Sequence, residues 1–230
     1  MKKYFFLVLL VWLAGCNESV EADPNDLGFD FYPTLVNQYR IYEVEEINFR
    51  ITGFDTANYQ LRETIFDSLV SLDQVTYLIR RDKRDNALEE WRSDSIWTVT
   101  PTERFVAVAE NNIQFLKLTF PVRPGISWNG NSLNARGLQT YFYEEVSTST
   151  FEEAPLSDQI RLIIEDIPES SVGVDLRSEI YVRGIGLVEK DYLTQVKCTA
   201  GSCGADLGKV QGGRLLKQNL IEYGILDEPL

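Results

Sequence analysis

The sequence predicts an all-β protein, with at most one short helix, whose strands form a meandering antiparallel sheet that is curved or closed into a barrel-like body. Three observations predict this class. Short runs of β-branched and aromatic residues alternate with polar residues at a period of two. Glycine, proline, asparagine or aspartate bounds most of these runs. No segment carries a sustained apolar stripe at helical spacing together with capping residues.

The predicted strands follow one another with short connections. They cover residues 39–47, 75–79, 91–100, 105–108, 113–120, 140–146, 160–164, 178–183, 187–192 and 214–223. The charged sequence RRDKRDN at 80–86 is expected to be a turn, and Pro124-Gly125 and Asn129-Gly130 are strong turn signals.

Two segments have a less definite pattern. Residues 63–72, ETIFDSLVSL, form the one candidate helix, because Ile65, Leu69 and Leu72 would share a helical face, but a strand fits them equally well. Gly184 and Gly186 separate two predicted strands. A dinucleotide-binding fingerprint would need a third glycine and a following helix, so we expect these glycines to form a bend or bulge in a strand pair.

Composition excludes several function classes. The 230 residues carry a net charge of −13, and such a surface repels phosphate backbones, so we expect no nucleic-acid partner. The chain has no histidine, which removes histidine-based triads and histidine-ligated zinc. No catalytic, metal-binding or cofactor-binding motif is recognisable. The sequence therefore favours a protein that is not an enzyme and that uses no metal or cofactor.

Two carboxylate pairs and one tryptophan are the remaining candidates for chemistry. Glu43 with Glu45, and Glu144 with Glu145, are expected on solvated strand faces, although a hydrolase would use two facing carboxylates. Trp128 lies beside a predicted turn, and among the aromatic residues it is the best candidate for stacking on a ligand.

The amino-terminal sequence predicts export. Two lysines precede the apolar run 4–14, which is too short to cross a bilayer. Residues 13–16, Leu-Ala-Gly-Cys, resemble the lipobox of bacterial lipoproteins. The resemblance implies that residues 1–15 are removed as a signal peptide and that Cys16 is acylated, so that the lipid joins the protein to a membrane. Asn17 stands where an aspartate retains many lipoproteins in the inner membrane, so we expect the outer membrane, on either its periplasmic face or the cell surface.

The mature chain is expected to have two parts. Residues 16–30 are acidic and are predicted to be a tether, and residues 31–230 suit a single β-rich domain. Cys198 and Cys203 have a C-x₄-C spacing in an exported chain, and we expect them to form a disulfide, with free thiols as the alternative.

Two motifs resemble a set of uncharacterised outer-membrane lipoproteins of the Bacteroidota. They are FPVRPGISWNGN at 120–131 and EIYVRGIGLVEK at 179–190, and the Phe31-Tyr32-Pro33 entry is similar as well. The resemblance spans residues 30–195 in outline. It implies no activity, ligand or site residue, because none is known for the family. The residues themselves indicate a tight turn at Gly125 and a core-capping role for Trp128.

The sequence favours a membrane-anchored envelope lipoprotein that acts as a non-enzymatic binding or accessory module, with a glycan, a peptide or an envelope protein as its partner. The first alternative is a carrier of lipid or another apolar ligand in a β-sheet cavity. The second is a carboxylate-dependent hydrolase.

Overall fold

The computed structural model describes residues 24–72, 74–199, 203 and 207–227, which form a twelve-stranded antiparallel sheet that is nearly closed into a barrel. The strands are Gln38–Arg50 (β1), Gly53–Ser71 (β2), Gln74–Arg84 (β3), Arg92–Pro101 (β4), Phe105–Glu110 (β5), Ile113–Thr119 (β6), Ser127–Asn129 (β7), Thr140–Glu145 (β8), Gln159–Ile167 (β9), Gly173–Val182 (β10), Gly186–Lys197 (β11) and Val210–Ile225 (β12).

The sheet is a meander, as the sequence predicts. The strand order is β6-β5-β4-β3-β2-β1-β12-β11-β10-β9-β8-β7, so each strand pairs with its neighbour in sequence, and β1 pairs with the last strand. The predicted all-β class and antiparallel arrangement are therefore confirmed.

The two ends of the sheet meet at a seam between β6 and the β7 region. The Leu116 amide donates a hydrogen bond to the Gly130 carbonyl oxygen at 2.9 Å. In return, Trp128 Nε1 donates to the Leu116 carbonyl oxygen at 2.9 Å. Asn134 Nδ2 donates to the Gln114 carbonyl oxygen at 2.8 Å. These bonds satisfy edge groups of β6 that would otherwise be open for pairing with another chain.

The barrel has two opposite ends, which we call the mouth and the far end. The mouth carries the β2–β3, β4–β5 and β10–β11 turns, and the far end carries the β1–β2, β3–β4, β5–β6 and β11–β12 connections. A main cluster of buried apolar side chains fills the interior, and it includes Ile65, Trp97, Leu118, Leu162 and Tyr181. A second cluster lies under the β8–β9 connection, where Val146 and Phe151 pack on Ile180, Val182 and Val188.

Three local predictions need correction. The candidate helix 63–72 lies almost entirely in β2, whose residues pair with both β1 and β3, so the strand alternative holds. The charged sequence 80–86 is mostly strand, because β3 continues to Arg84. Gly184, with a φ of +73°, lies in the turn between β10 and β11, and Gly186, with a φ of +96°, is the first residue of β11, so these glycines shape a hairpin turn instead of bending one strand.

The last part of the predicted tether, residues 24–30, lies against the barrel. Residues Pro24–Leu27 form one helical turn (α1), and Phe29–Phe31 form a 3₁₀ turn. Both lie against the barrel mouth, because the Leu27 carbonyl accepts from the Val122 amide at 2.9 Å and Phe31 is buried in the main cluster. The signal peptide 1–15, Cys16 and the rest of the predicted tether to residue 23 lie outside the described residues.

Candidate functional site

A groove of about 1070 Å³ opens at the mouth of the barrel. It lies between the β2–β3 hairpin, the β4–β5 turn and the amino-terminal segment 29–34. Its surface is mainly apolar, and its apolar and aromatic lining includes Phe29, Tyr32, Val75, Tyr77, Phe105 and Phe120. A concave, largely apolar surface with a few polar groups is typical of ligand sites. We call this feature the mouth groove.

One wall of the mouth groove is a hairpin that extends beyond the paired part of β1. Strand β1 pairs with β2 only up to Thr64, and β4 pairs with β3 only from Tyr77. The hairpin between these points is held by its own ladder, from Asp67↔Leu78 to Ser71↔Gln74. Five strand residues span about 15 Å, so the tip stands well above the paired part of β1. On the other side β4 continues to Pro101, and Thr100 Oγ1 lies 2.9 Å from Thr76 Oγ1. We call residues 67–75 the projecting hairpin.

The opposite wall is the amino-terminal segment, which is fixed at several points. The Gly184 amide donates to the Asp30 carbonyl oxygen at 2.8 Å. Arg183 Nη1 donates to Asp30 Oδ1 at 2.7 Å. The Phe29 ring meets the Phe120 ring edge-to-face, with centroids 4.5 Å apart. These bonds hold the chain at the mouth immediately after the part that leads from Cys16.

The rim of the mouth groove carries one charge of each sign. Glu103 and Arg104 are exposed on the β4–β5 turn. Thr102 Oγ1 stabilises this turn, because it accepts from the Arg104 and Phe105 amides at 3.2 and 3.0 Å. The rim therefore offers a cation and an anion beside an apolar surface.

Tyr32 connects the groove with the interior. Its ring lines the mouth groove and also a small interior cavity of about 20 Å³. Burial raises the pKa of Tyr32, with Glu63 and Glu110 adding to the effect. The phenol is therefore neutral at every physiological pH.

Charged residues surround the interior cavity. The Glu179 side chain is 1% exposed, and its Oε1 lies 3.1 Å from Lys117 Nζ and 3.2 Å from Lys190 Nζ. Lys117 Nζ also lies 2.9 Å from Glu110 Oε1. The Tyr181 hydroxyl donates to Glu179 Oε2 at 2.6 Å, and the Tyr192 hydroxyl donates to Glu179 Oε1. We call the two glutamates and two lysines the interior charge cluster.

The ionisation of this cluster is set by mutual pairing. Burial disfavours the Glu179 carboxylate, but the Lys117 and Lys190 ammonium groups and the hydroxyls of Tyr181 and Tyr192 outweigh it, so the pKa of Glu179 is well below its usual range. The Tyr192 hydroxyl donates to Glu179 Oε1 at 2.5 Å. The pKa of Lys117 is raised because its two carboxylate neighbours outweigh its burial.

The pKa of Glu110, the second glutamate of the interior charge cluster, is also lowered. Burial disfavours its charge, but Lys117 and Lys190 lower the pKa of Glu110. Both carboxyls are therefore ionised at neutral pH, and neither holds a proton to donate. A glycosidase-type pair needs one carboxyl whose pKa is raised. The interior charge cluster consequently has the chemistry of an internal tie across the barrel and not of an acid and base.

An arginine closes the mouth side of the interior cavity. Arg40 is 3% exposed, and its Nη1 donates to the Ile185 carbonyl oxygen at 2.9 Å. The Glu63 side chain also lines the cavity and pairs with Arg81 at 3.0 Å, while the Arg81 guanidinium stacks 3.7 Å above the Trp97 ring. Glu63 is thus paired with a cation, as burial requires, whereas the Arg40 guanidinium bonds a carbonyl oxygen and its buried Nε has no hydrogen-bond partner among the described residues.

The structure places the predicted site residues apart from the mouth groove. Cys198 and Cys203 form the predicted disulfide at the far end. Trp128 is half-buried at the seam and packs on the rings of Tyr141 and Tyr143, with centroids 6.1 and 4.6 Å away. Its visible role is to close the barrel, and its predicted ligand stacking stays a prediction. The lipidation site, Cys16, lies outside the described residues.

The predicted carboxylate pairs are exposed, as expected. Glu43 and Glu45 alternate with the buried Tyr42 and Val44. Glu144 and Glu145 are exposed at the end of β8. These four carboxylates do not contribute to the mouth groove or to the interior cavity.

Sequence reasoning missed the residues that make up the groove and the cluster. A signal was present, because the motif 179–190 contains Glu179, Tyr181 and Lys190, and the similar entry at 31–33 contains Tyr32. Only the glycines of that motif received a structural interpretation. A glutamate and a lysine at opposite ends of a strand-turn-strand motif indicate an ion pair across the hairpin, and Glu179 and Lys190 are indeed directly paired in register.

Within residues 24–72, 74–199, 203 and 207–227, no three or more cysteine, aspartate or glutamate side chains are grouped so that they could hold a metal ion. The same part of the chain contains no helix of the length and hydropathy that a membrane span requires.

Comparisons with known proteins identify no family. No protein-family pattern matches the chain. No curated protein sequence matches it either. A solved structure that is similar is the crystal structure of a Bacteroides fragilis protein assigned as exported and described as having a YmcC-like fold. The similarity has a TM-score of 0.41 at 12% identity, and it covers 84% of this chain and 98% of that protein.

Proposed function

We propose that this protein is a lipid-anchored outer-membrane lipoprotein that acts as a non-enzymatic binding or accessory module, with the mouth groove as its ligand site. The observation that carries the proposal is the position of the groove. An apolar groove of about 1070 Å³ lies against the amino-terminal segment, where the chain arrives from Cys16.

The length of the chain keeps this end close to the membrane. Eight residues, 16–23, separate the start of the mature chain from Pro24. A fully extended chain spans about 3.5 Å per residue, so Pro24 lies within about 28 Å of an acylated Cys16. An anchor of this length lets the mouth groove work at the lipid surface, where it meets membrane components or the partners assembled on them.

The chemistry of the groove defines the ligand that it fits. Its aromatic and aliphatic walls would bury an apolar portion of the ligand, and Glu103 and Arg104 at the rim would orient a polar portion. A peptide or envelope protein with an apolar anchor residue has this composition. A glycan would use the aromatic rings as stacking surfaces.

One observation also supports the carrier of apolar ligands as a second candidate. The interior cavity, at about 20 Å³, has room for about one water molecule and not for an acyl chain. The mouth groove has an apolar lining and ample volume, so a carried apolar ligand would lie there and not inside the sheet. The hydrolase alternative gains no such support, because both carboxyls beside Lys117 have lowered pKa values.

The anchor is tested by replacing Cys16. We expect the wild-type protein to partition with outer membranes and to carry added fatty acid in mass spectra. The Cys16→Ser variant should lose both properties, because it lacks the acylated thiol. Membrane partitioning of the variant, or an unmodified wild type, would contradict the anchored-lipoprotein proposal.

The groove is tested by photo-crosslinking in intact cells. For the test, a photoreactive amino acid replaces Gln74, which lines the mouth groove. For the control, it replaces Asn86, which lies in the β3–β4 connection at the far end. We expect a specific crosslinked product from position 74 and none from position 86. Identical products from both positions, or no product from either, would count against a ligand in the mouth groove.

A further inference from the structure

We propose that the tip of the projecting hairpin, residues 69–72, is a second membrane contact that enters the lipid surface beside the acyl anchor. This inference rests on the proposed function in one respect, because the anchor brings the mouth to the membrane. Three observations at the tip support it: its apolar exposure, its backbone conformation and its position.

The tip exposes apolar side chains that no described residue covers. Leu69, Val70 and Leu72 are 56%, 74% and 97% exposed. A single exposed leucine is ordinary in a soluble protein, but three within four residues at the end of a projecting hairpin form a patch. Transfer of such a patch from water into an apolar phase is favourable.

Leu72 also has an unfavourable backbone conformation. Its φ is +52°, in the left-handed region, where glycine and asparagine are favoured and an ordinary L-residue is disfavoured. The turn therefore carries a leucine where local structure favours asparagine or glycine. The conformation does not explain this residue, and its side chain is 97% exposed at the edge of the mouth groove, where contact with lipid would bury it.

The position of the tip selects a bilayer as the occupant. The hairpin extends about 15 Å past the paired part of β1, with β4 and the β4–β5 turn on its other side, at the same end as the amino-terminal segment. Residues 71 and 72 line the groove together with Phe29 and Tyr32. A tether of eight residues brings this end within reach of the acylated membrane leaflet. The hairpin therefore lies at the tethered end of the barrel, within reach of the lipid surface.

Charge restricts the kind of lipid. Asp67 and Asp73 flank the tip in the sequence, and the chain carries a net charge of −13, so an anionic lipid surface would repel it. The matching surface is zwitterionic, such as phosphatidylethanolamine with phosphatidylcholine. Once the tip is inserted, the mouth groove opens onto the lipid surface, which would give it access to ligands with an apolar portion.

Depth-dependent quenching tests the contact on the full mature lipoprotein. The chain has three cysteines, and acylated Cys16 and the bonded Cys198 and Cys203 do not react with a thiol dye, so an introduced cysteine is labelled alone. The protein is placed in phosphatidylethanolamine/phosphatidylcholine vesicles that contain nitroxide-labelled lipid. One sample carries the dye at Leu72→Cys, and the control carries it at Leu88→Cys, a leucine with the same 97% exposure at the far end.

We expect nitroxide lipid to quench the dye at position 72 at least about fivefold more than the dye at position 88. Replacement of a third of the lipid by phosphatidylglycerol should reduce the difference. Equal quenching at both positions would overturn the proposal. The proposal would also be overturned if the dye at position 72 were shielded in the absence of vesicles and this shielding rose with protein concentration. That result would mean self-association.

A second variant removes the apolar side chain without disturbing the fold. Leu72→Asn places a residue that favours φ near +52° at the turn, so folding is expected to be retained. A dye at Glu103→Cys, on the neighbouring β4–β5 turn, reports the height of the mouth above the lipid. We expect Leu72→Asn to lower quenching at position 103 at least twofold and Leu88→Asn to leave it unchanged. Equal quenching in both variants would also overturn the proposal, whereas loss of vesicle attachment by the wild type would instead contradict the acyl anchor.

Discussion

The ammonium group of Lys117 lies 3.1 Å from Glu179 Oε1, although the two residues belong to strands β6 and β10, which are not neighbours in the sheet. This ion pair therefore crosses the interior of the barrel. Both side chains are buried, at 6% and 1% exposure. Removing one partner of such a pair leaves an uncompensated charge in an environment of low polarity.

Glu179→Gln should destabilise the protein strongly. The substitution keeps the side-chain volume but leaves Lys117 with only Glu110, and leaves Lys190 without its carboxylate. We expect the free energy of unfolding to fall by about 3–5 kcal/mol. Urea denaturation followed by circular dichroism measures the change. The matched control is Glu144→Gln on an exposed strand end, for which we expect a change within about 0.5 kcal/mol.

The pH dependence of stability follows from the same cluster. The folded pKa of Glu179 is lower than its unfolded value, so its contribution is fully present above the unfolded value of about 4.3 and is lost as the pH falls through the folded pKa. The folded pKa of Lys117 is raised, so its contribution is present below the unfolded value of about 10.4 and is lost as the pH rises through the folded pKa.

We therefore expect the thermal unfolding temperature to be nearly level between about pH 5 and pH 10 and to fall on both sides of that window. A scan from pH 3 to pH 11 by differential scanning calorimetry measures it. In the Glu179→Gln variant the acid-side decline should become shallower. A decline of unchanged steepness in that variant would mean that other carboxylates control acid stability.

The fold could be predicted from the sequence because its determinants are local. Alternation of apolar and polar residues located ten of the twelve strands, at least in part. Strand β2 was ambiguous because its second half, ETIFDSLVSL, has apolar spacings that suit a helix and a strand alike. Its pairing with β1 and β3 decides the matter, and that pairing is a long-range property.

Beyond the pairing of Glu179 with Lys190, the interior charge cluster could not be predicted from alternation, because two register shifts place its lysines. Val106 pairs with Leu118 and Ala107 pairs with Leu116, so Lys117 is the extra residue of a bulge. A second bulge leaves Val188 unpaired, so that Leu187 and Lys190 both reach the interior cavity. Strict alternation assigns these lysines the wrong face, because a bulge reverses the alternation of sides along the strand.

Trp128→Phe should weaken the seam of the barrel. The substitution keeps an aromatic ring against Tyr143 but removes the donor to the Leu116 carbonyl oxygen. We expect a loss of about 1 kcal/mol, the usual net worth of a hydrogen bond. Amide hydrogen exchange should accelerate at β6 and β7 and remain unchanged at β1. If Trp128 instead stacks on a ligand, the variant would alter crosslinking from position 74, and we expect no such change.

Reduction of the disulfide should act at the far end alone. Cys198 and Cys203 enclose a short loop between β11 and β12. Closing a short loop removes less entropy from the unfolded chain than closing a long one, so the disulfide stabilises the fold only moderately. We expect the Cys198→Ser/Cys203→Ser variant to lose about 2–3 kcal/mol of stability. Its crosslinking from position 74 should equal that of the wild type, because the mouth groove lies at the other end. A loss of crosslinking in a folded variant would show that the two ends are coupled.

Gly186→Ala should cost more than Gly184→Ala, although the two glycines lie only two residues apart, one in the β10–β11 turn and one at the start of β11. Both have positive φ, so each alanine incurs backbone strain of about 1–2 kcal/mol. A Cβ at position 184 meets nothing within 4 Å, whereas one at position 186 would lie 2.8 Å from Arg40 Nη1. That contact displaces the guanidinium from the Ile185 carbonyl oxygen, a bond worth about 1.5–3 kcal/mol because its donor is charged.

A double-mutant cycle separates the strain from the displaced arginine. In an Arg40→Met background no guanidinium remains to be displaced, so the cost of Gly186→Ala should fall to that of Gly184→Ala. Urea denaturation of the four proteins gives the interaction energy, which we expect to be about 1.5–3 kcal/mol. An interaction energy near zero would show that strain alone accounts for Gly186, and that the turn between β10 and β11 does not hold Arg40 against the interior cavity.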